Sequence, residues 1–227
     1  MSAAIARPAA TVILARDADS GFEVLLLRRS SGLDFHGGAW VFPGGRVDEE
    51  DYARASSRDP IEAARYAAAR EAHEEAGVRV SPADLVPLSR WVTPVNVPKR
   101  FDTWFFVARA GADSVETDGG EISDFRWLRP RDALALQRRS EIELPAPTFV
   151  TLLQLSTAQT VTELLETVRH RQPESFEPEL YWVEGGACTV YRGDAAYGNG
   201  DLQRAGPRHR LWMLASGWRY ERSEREP

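Results

Sequence analysis

The chain has 227 residues, 43% of them hydrophobic, which is enough to bury the core of one domain or of one domain with an elaborated end. Its formal net charge of −6 argues against nucleic-acid binding through a broadly basic surface. No apolar run approaches the ~18 residues of a membrane span, and the N-terminus lacks the apolar segment of a secretory signal. The default expectation is therefore a cytoplasmic protein that has no nucleic-acid or membrane partner.

The first part of the chain favours β-strands. Residues 9–16 and 23–29 are β-rich runs, and the polar segment 17–21 between them predicts a hairpin turn. A third run, residues 39–42, leads into the tripeptide Pro43-Gly44-Gly45. Glycines at this strand end let the backbone approach a metal ion or a phosphate closely.

Residues 59–77 carry the signals of a helix. Asp59 suits the N-cap, Pro60 the first helical position and Gly77 the exit. At about 100° per residue, three glutamates in the C-terminal part of this helix fall within one arc of ~100°. These glutamates are Glu71, Glu74 and Glu75. The neighbouring arc carries an apolar stripe that would let the helix lie close against a sheet: Ile61, Ala68, Ala72 and Ala76.

The three glutamates repel one another at spacings of three and four residues, and more strongly where water is partly excluded. A cation would relieve this repulsion, and hard oxygen ligands select Mg²⁺ or Mn²⁺. The alternative is a solvated acidic helix face on which Arg70 pairs with Glu74.

Further strands and helices follow. Strands are predicted at residues 85–93, 101–109 and 124–128, and a helix at 130–139. Strands interleaved with helices imply an α/β fold layered around a sheet.

The chain then changes character. Residues 147–171 predict one or two helices, and the aromatic-rich remainder predicts strands at 180–184, 187–192 and 210–215. We therefore divide the chain into a domain of residues 1–145 and a C-terminal extension of residues 146–227 packed on it. Four aromatic side chains are interpreted as holding the extension to the domain, with a lid or a homodimer contact as the alternative: Trp182, Trp212, Trp218 and Tyr220. The single cysteine, Cys188, is expected to be a small buried residue.

The string from Arg70 to Val78, with Phe42-Pro43-Gly44-Gly45 upstream, resembles the Nudix box. The resemblance covers roughly residues 5 to 140. It implies a Nudix α/β/α sandwich with a mixed β-sheet, and a pyrophosphohydrolase that depends on Mg²⁺ or Mn²⁺.

The resemblance also implies roles for individual residues. Glu71, Glu74 and Glu75 would hold the cations, and the first glycine of the pair, Gly44, would supply a carbonyl ligand. Arg70 would orient the glutamates. The general base would be Glu75 or a further carboxylate, Glu121, which stands in a loop where many family members carry an extra glutamate. Three nearby acids compete with Glu121 for this role: Glu116, Asp118 and Asp124.

Between Gly45 and the next box glutamate the family usually has five residues, whereas sixteen lie between Gly45 and Glu62 here. Seven residues separate Glu62 from Arg70, as the family spacing demands. Glu62 reads equally well as the partner of Asp59 in an Asp version of a capping box. Of these two readings we favour capping.

Substrate-binding candidates come from two segments. At Arg100-Phe101 a guanidinium could grip phosphate and a ring could stack on a base, although an ordinary ion pair between Arg100 and Asp102 explains the pattern as well. Residues 25–38, which include Arg29, resemble the segment that the coenzyme A diphosphatase branch carries before the box. His36 in this segment is given no catalytic role.

The leading hypothesis is hydrolysis of the pyrophosphate linkage of CoA or acyl-CoA. Hydrolysis of ADP-ribose or of another nucleoside diphosphate derivative is the second enzymatic reading. A nucleotide-sensing module without turnover is the alternative from another class. The complete set of glutamates argues against a sensor.

Overall fold

The computed structural model describes residues 4–32, 37–111, 114–117 and 119–223, apart from the side chain of Ser57. The chain divides into two compact units. The larger unit consists of Pro8–Arg90 and Thr103–Glu174. The smaller unit consists of Met1–Arg7, Trp91–Asp102 and Ser175–Pro227. The predicted boundary at residue 145 falls inside the larger unit.

Strands β1 (Arg7–Ala18) and β2 (Gly21–Arg29) form the predicted hairpin, and its turn is shorter than expected because Ala18 pairs with Gly21. Six more strands complete a mixed sheet of eight strands, as predicted. These strands are β3 (Trp40–Val41), β4 (Gly44–Arg46), β5 (Val86–Val92), β6 (Phe101–Arg109), β7 (Ile122–Leu128) and β8 (Glu174–Phe176). The strand order is β3–β2–β1–β6–β5–β8, while β4 pairs with β1 and β7 pairs with β2.

Five helices lie along the described chain. They are α1 (Glu49–Arg54), α2 (Pro60–Ala76), α3 (Pro130–Arg138), α4 (Ala146–Leu155) and α5 (Val161–Arg169). Short 3₁₀ turns occupy Ser56–Arg58 and Pro82–Asp84. Among the described residues, no helix combines the length and the hydropathy needed to cross a bilayer.

Helix α2 begins and ends at the predicted residues. The Asp59 side chain accepts from the backbone N–H groups of Ile61 and Glu62, and Gly77 adopts the left-handed conformation with φ 68°. Three members of the predicted stripe, Ala68, Ala72 and Ala76, are fully buried, and the fourth, Ile61, is partly buried against the same core. These small side chains pack with strand residues in one core cluster, which includes Val12, Leu14, Leu25, Leu27 and Phe106.

The smaller unit contains an antiparallel sheet in the order β12–β11–β10–β9. Its strands are β9 (Glu179–Val183), β10 (Gly186–Val190), β11 (His209–Leu214) and β12 (Gly217–Arg222). Strands β8 and β12 were not predicted from the sequence. Cys188 is fully buried, as predicted.

The packing role that we predicted for four aromatic side chains is wrong for Trp182, which is 78% exposed. Trp212 packs against the cluster around Cys188. The Tyr220 hydroxyl lies 2.8 Å from His209 Nε2. A buried ion pair of Asp194 and Arg210, with both side chains at most 1% exposed, stabilises the same unit.

Candidate active site

The last two turns of α2 carry the acidic cluster to strand β4. The Gly44 N–H donates to Glu75 Oε2 over 2.9 Å. Glu75 is only 6% exposed, and burial raises its pKa to about 8, although the Gly44 hydrogen bond opposes the shift. Burial likewise raises the pKa of Glu71, against the opposing charge of Arg70. Two carboxylates that are costly to ionise therefore lie together beside β4.

The backbone of Gly44 presents its polar groups to this cluster. The register pairs Thr11 with Gly44, and the Val12 N–H donates to the Pro43 carbonyl. Hydrogen-bonded and non-hydrogen-bonded pairs alternate along an antiparallel ladder, so the N–H and C=O of Gly44 turn away from β1. The N–H reaches Glu75, and the carbonyl oxygen points to the same side of the strand.

Neither glycine of the pair has room for a side chain. A Cβ on Gly44 would collide with the backbone of β1, and a Cβ on Gly45 would collide with the carboxylate of Glu71. Glycine at position 45 therefore lets Glu71 lie directly against the backbone of β4.

Arg70 connects several acidic groups. Its guanidinium donates to Glu71 Oε1 and Glu74 Oε2, each over 2.9 Å, and to the Arg46 carbonyl over 2.9 Å. Burial lowers the pKa of Arg70, but the hydrogen bond to Asp51 and the charges of Glu71 and Asp51 outweigh it and raise that pKa above its usual range. Glu74 is the outermost of the three predicted carboxylates, with 56% of its side chain exposed.

Asp51 is the site residue that sequence reasoning missed. Its carboxylate is 1% exposed, accepts from Arg70 Nη2 over 3.1 Å, and accepts from the Asp48 N–H over 3.0 Å. The inserted segment is thus not an open loop, because helix α1 within it carries Asp51 under Arg70. A signal was present in the sequence: Asp51 follows Gly45 after five residues, which is the ordinary family spacing.

Glu62 lies in the first turn of α2, about 13 Å along the helix axis from Glu71. Its carboxylate accepts from the Ser56 N–H over 2.8 Å and from the Ser56 hydroxyl over 3.2 Å. Asp59 caps α2 as expected, but the predicted capping-box role of Glu62 is wrong, because its carboxylate binds Ser56 in the preceding 3₁₀ turn. The reciprocal capping box lies in α1 instead, between Asp48 and Asp51.

Arg29 and Glu121 lie at the ends of β2 and of the loop before β7. Arg29 Nη2 and Glu121 Oε2 are 3.8 Å apart, and the Ser30 N–H donates to the Glu121 carbonyl over 2.7 Å. The charges of both residues act on the pKa of Glu75. The structure therefore brings Arg29, Glu121, Glu71, Glu75 and Gly44 into one neighbourhood.

The remaining candidates have other surroundings. Glu116 is exposed and its N–H donates to Ala76, while Asp124 accepts from the Phe125 N–H. Asp118 and His36 lie outside the described residues. The Arg100 guanidinium donates to the carbonyl oxygens of Thr93 and Ala4 within the smaller unit, and the substrate-binding role of Arg100 and Phe101 stays a prediction.

The oxygen atoms of this cluster fit a divalent cation whose remaining ligands come from the substrate. Among the residues with described positions, no three Asp, Glu, His or Cys side chains form a ready-made metal cage. Mg²⁺ usually needs only one or two carboxylates, because substrate phosphates and water complete its shell. Glu71, Glu75 and the outward-turned Gly44 carbonyl supply oxygen ligands of that kind, and ionising the buried Glu75 calls for a nearby positive charge.

The chain is similar to known proteins in sequence and in fold. Residues 6–149 match the family model described as the NUDIX domain. The chain is 23% identical over 273 aligned positions to the acyl-coenzyme A diphosphatase NUDT19 of Xenopus laevis, covering 78% of this chain and 72% of that protein.

Two solved structures show the same fold. The NUDIX hydrolase from Alicyclobacillus acidocaldarius is 26% identical with a TM-score of 0.61, covering 74% of this chain and 99% of that one. The NUDIX domain of Shewanella oneidensis NrtR, solved with ADP ribose, is 19% identical with a TM-score of 0.50, covering 66% and 86%. At that identity the second similarity concerns the fold alone.

Proposed function

Because this chain belongs to the NUDIX domain family and is a pyrophosphohydrolase, we propose that its substrate is CoA or an acyl-CoA. Cleavage of the pyrophosphate linkage would release an adenosine bisphosphate and a phosphopantetheine product. The similarity to the acyl-coenzyme A diphosphatase of Xenopus laevis supports this substrate. So does the resemblance of residues 25–38 to the segment of the coenzyme A diphosphatase branch, of which residues 33–36 lie outside the described structure.

The observation that carries the hydrolytic proposal is the pair of buried carboxylates beside an outward-turned glycine carbonyl. Glu75 is nearly inaccessible to water, and the only ion pair of Glu71 among the described residues is with Arg70. Arg70 is itself shared with Glu74 and Asp51. Such a cluster gains more from an added cation than a solvated acidic helix face does.

Members of this family generally use divalent metal ions, and we propose Mg²⁺ or Mn²⁺ for this chain. Glu71 and Glu75, with the exposed Glu74 and the Gly44 carbonyl, would hold the ion. A bound ion neutralises pyrophosphate oxygens and acidifies a bound water.

The remaining chemistry belongs to side chains. Glu75 or Glu121 would accept the proton of the attacking water, and Arg70 would keep Glu71 and Glu74 in place. The Arg29 guanidinium, beside Glu121, would donate to a phosphate oxygen of the substrate.

A substrate panel tests the proposal. Phosphate products would be identified after incubation with CoA, acetyl-CoA, a longer acyl-CoA, ADP-ribose, NADH and dinucleoside polyphosphates. Each reaction would be run with Mg²⁺, with Mn²⁺ and with EDTA. We expect metal-dependent release of adenosine bisphosphate from the CoA species, well above turnover of the others.

Other outcomes would overturn parts of the proposal. Preference for ADP-ribose or a dinucleotide would contradict the CoA assignment while keeping the hydrolase. No turnover together with tight nucleotide binding would favour the sensor. Glu75→Gln and Glu74→Gln are the matched site variants, and unchanged turnover in both would contradict the metal site.

A homodimer stays a prediction from the aromatic composition of the C-terminal residues. Sedimentation at high protein concentration tests it, and a single monomeric species would contradict it.

A further inference from the structure

One exposed aromatic ring stands out in the larger unit. Phe125 on β7 is 37% exposed, and it is the one large hydrophobic side chain exposed among the described residues of that unit. Burying such a ring against a partner would be favourable by the hydrophobic effect.

The strand register places Phe125 on the face of the sheet that α2 covers. Phe125 pairs with Leu27, and Trp127 pairs with Leu25. Leu25 and Leu27 both lie in the core cluster that contains the buried alanines of α2. Residues directly opposite in an antiparallel pair point to the same face, so the ring of Phe125 emerges on the side of the acidic cluster.

The neighbouring aromatic on this face is already covered. The Arg16 guanidinium lies 4.2 Å from the centroid of the Trp127 ring, and Arg16 is itself paired with Glu23. Within the described part of the chain, no aromatic ring or cation packs on Phe125. Its ring is thus the open one of the two.

A cation lies on the same face of the sheet as this open ring. Arg29 is two residues beyond Leu27, the partner of Phe125, and therefore points to the same face. A β-bulge after Arg28 pairs Arg29 with Ile122, three residues before Phe125 on β7. Arg29 Nε is buried and has no acceptor among the described residues. The Nη2 atom of the same guanidinium lies 3.8 Å from Glu121 Oε2. A guanidinium whose buried N–H group has no acceptor among the described residues can donate a hydrogen bond to a phosphate oxygen.

From this juxtaposition we infer that Phe125 is the base-stacking residue of the site, on which the adenine of the substrate lies while Arg29 holds its phosphate. The inference rests on the proposed function and names the part of the substrate that it leaves unassigned. A nucleobase stacks on an aromatic side chain through its π-face, which requires no hydrogen-bonding side chain. The diphosphate would then extend from Arg29 toward Glu71 and Glu75.

Equilibrium binding tests this inference without turnover. Calorimetric titration of the Glu75→Gln protein in Mg²⁺ would use ADP-ribose and its abasic analogue, in which hydrogen replaces the adenine. Phe125→Leu keeps the apolar bulk and removes the ring, and Phe125→Trp keeps a ring. Thermal unfolding would confirm that each variant is folded.

We expect Phe125→Leu to weaken ADP-ribose binding about tenfold and Phe125→Trp to preserve it. Binding of the abasic analogue should change less than twofold in either variant. An equal loss for both ligands, or no loss for either, would overturn the stacking role.

The proposed function is tested separately, by measuring hydrolysis of CoA with the protein that retains Glu75. Turnover that is unaffected by Phe125→Leu, together with unaffected binding, would remove the inference and keep the hydrolase. Absent turnover with ring-dependent ADP-ribose binding would remove the hydrolase proposal and keep the inference. Absent binding of ADP-ribose would overturn the stacking role.

Discussion

Replacing Asp51 by alanine should weaken both the fold and the chemistry, because Asp51 is the buried anchor of Arg70. The substitution removes two guanidinium contacts, at 3.1 and 3.4 Å, and the acceptor of the Asp48 N–H. Breaking a buried ion pair costs about 3–5 kcal/mol. Arg70 still has Glu71 and Glu74 as partners and is 20% exposed, so we expect the lower end of this range, ~3 kcal/mol, including the lost cap of α1.

This destabilisation corresponds to a fall in Tm of roughly 6–12 °C for a chain of this size. The effect on chemistry should be separate and larger than the stability loss alone explains. Outer contacts that orient metal ligands are worth about 10–100-fold in metal affinity or activity, so we expect kcat and the apparent Mg²⁺ affinity to fall within that range.

The assay pairs thermal unfolding with hydrolysis measured over a Mg²⁺ titration. Asp51→Asn keeps the size of the side chain and removes its charge, so it should retain most of the stability and lose Mg²⁺ affinity. Glu49→Gln is the control, since Glu49 forms an exposed ion pair with Arg58 that should contribute less than ~1 kcal/mol. A folded Asp51→Ala protein with unchanged kcat and Mg²⁺ affinity would show that Asp51 does not hold Arg70 in place for the site.

Since the pKa of Glu75 is raised to about 8, its protonated form stabilises the fold below pH ~4.5, and this contribution is lost as pH rises through 8. The metal-free protein should therefore lose ~3 kcal/mol of unfolding free energy between about pH 5 and 8 in urea titrations. Glu75→Gln should remove most of this pH dependence. An unchanged pH dependence in Glu75→Gln would contradict the assignment to the buried Glu75 carboxylate. Gly45→Ala should displace the Glu71 carboxylate and lower kcat at least tenfold while the protein stays folded. Circular dichroism would check the fold and steady-state kinetics would check kcat. An unaltered kcat would contradict a role for the close contact between Gly45 and Glu71. Asp194→Ala should leave Arg210 buried without its partner and destabilise the protein by about 3–5 kcal/mol in thermal unfolding, and a loss below ~1 kcal/mol would argue against that ion pair.

The elements that sequence alone predicted are those with local signals. Helix α2 follows from its Asp59 cap, its alanines and its Gly77 exit, all of which act within a turn of the residue concerned. The hairpin of β1 and β2 likewise follows from two β-rich runs and a polar turn.

The features that escaped prediction depend on distant partners. Strand β4 contains Gly44 and Gly45, which have little intrinsic preference for a strand, and it forms because β1 pairs with it. Asp51 acquires its role only where α1 meets Arg70, nineteen positions along the chain. The exposure of Trp182 could not be predicted from composition either, because strand alternation alone does not determine which face of a sheet is covered.

Product analysis from CoA, with the native protein and with Glu75→Gln in Mg²⁺ and in EDTA, tests whether the buried carboxylates beside β4 support hydrolysis. We expect adenosine bisphosphate release only from the native protein with metal, and a loss of at least 100-fold in Glu75→Gln, in the range known for removal of catalytic groups. Release that persists in EDTA, or in a folded Glu75→Gln protein at the native rate, would contradict this expectation.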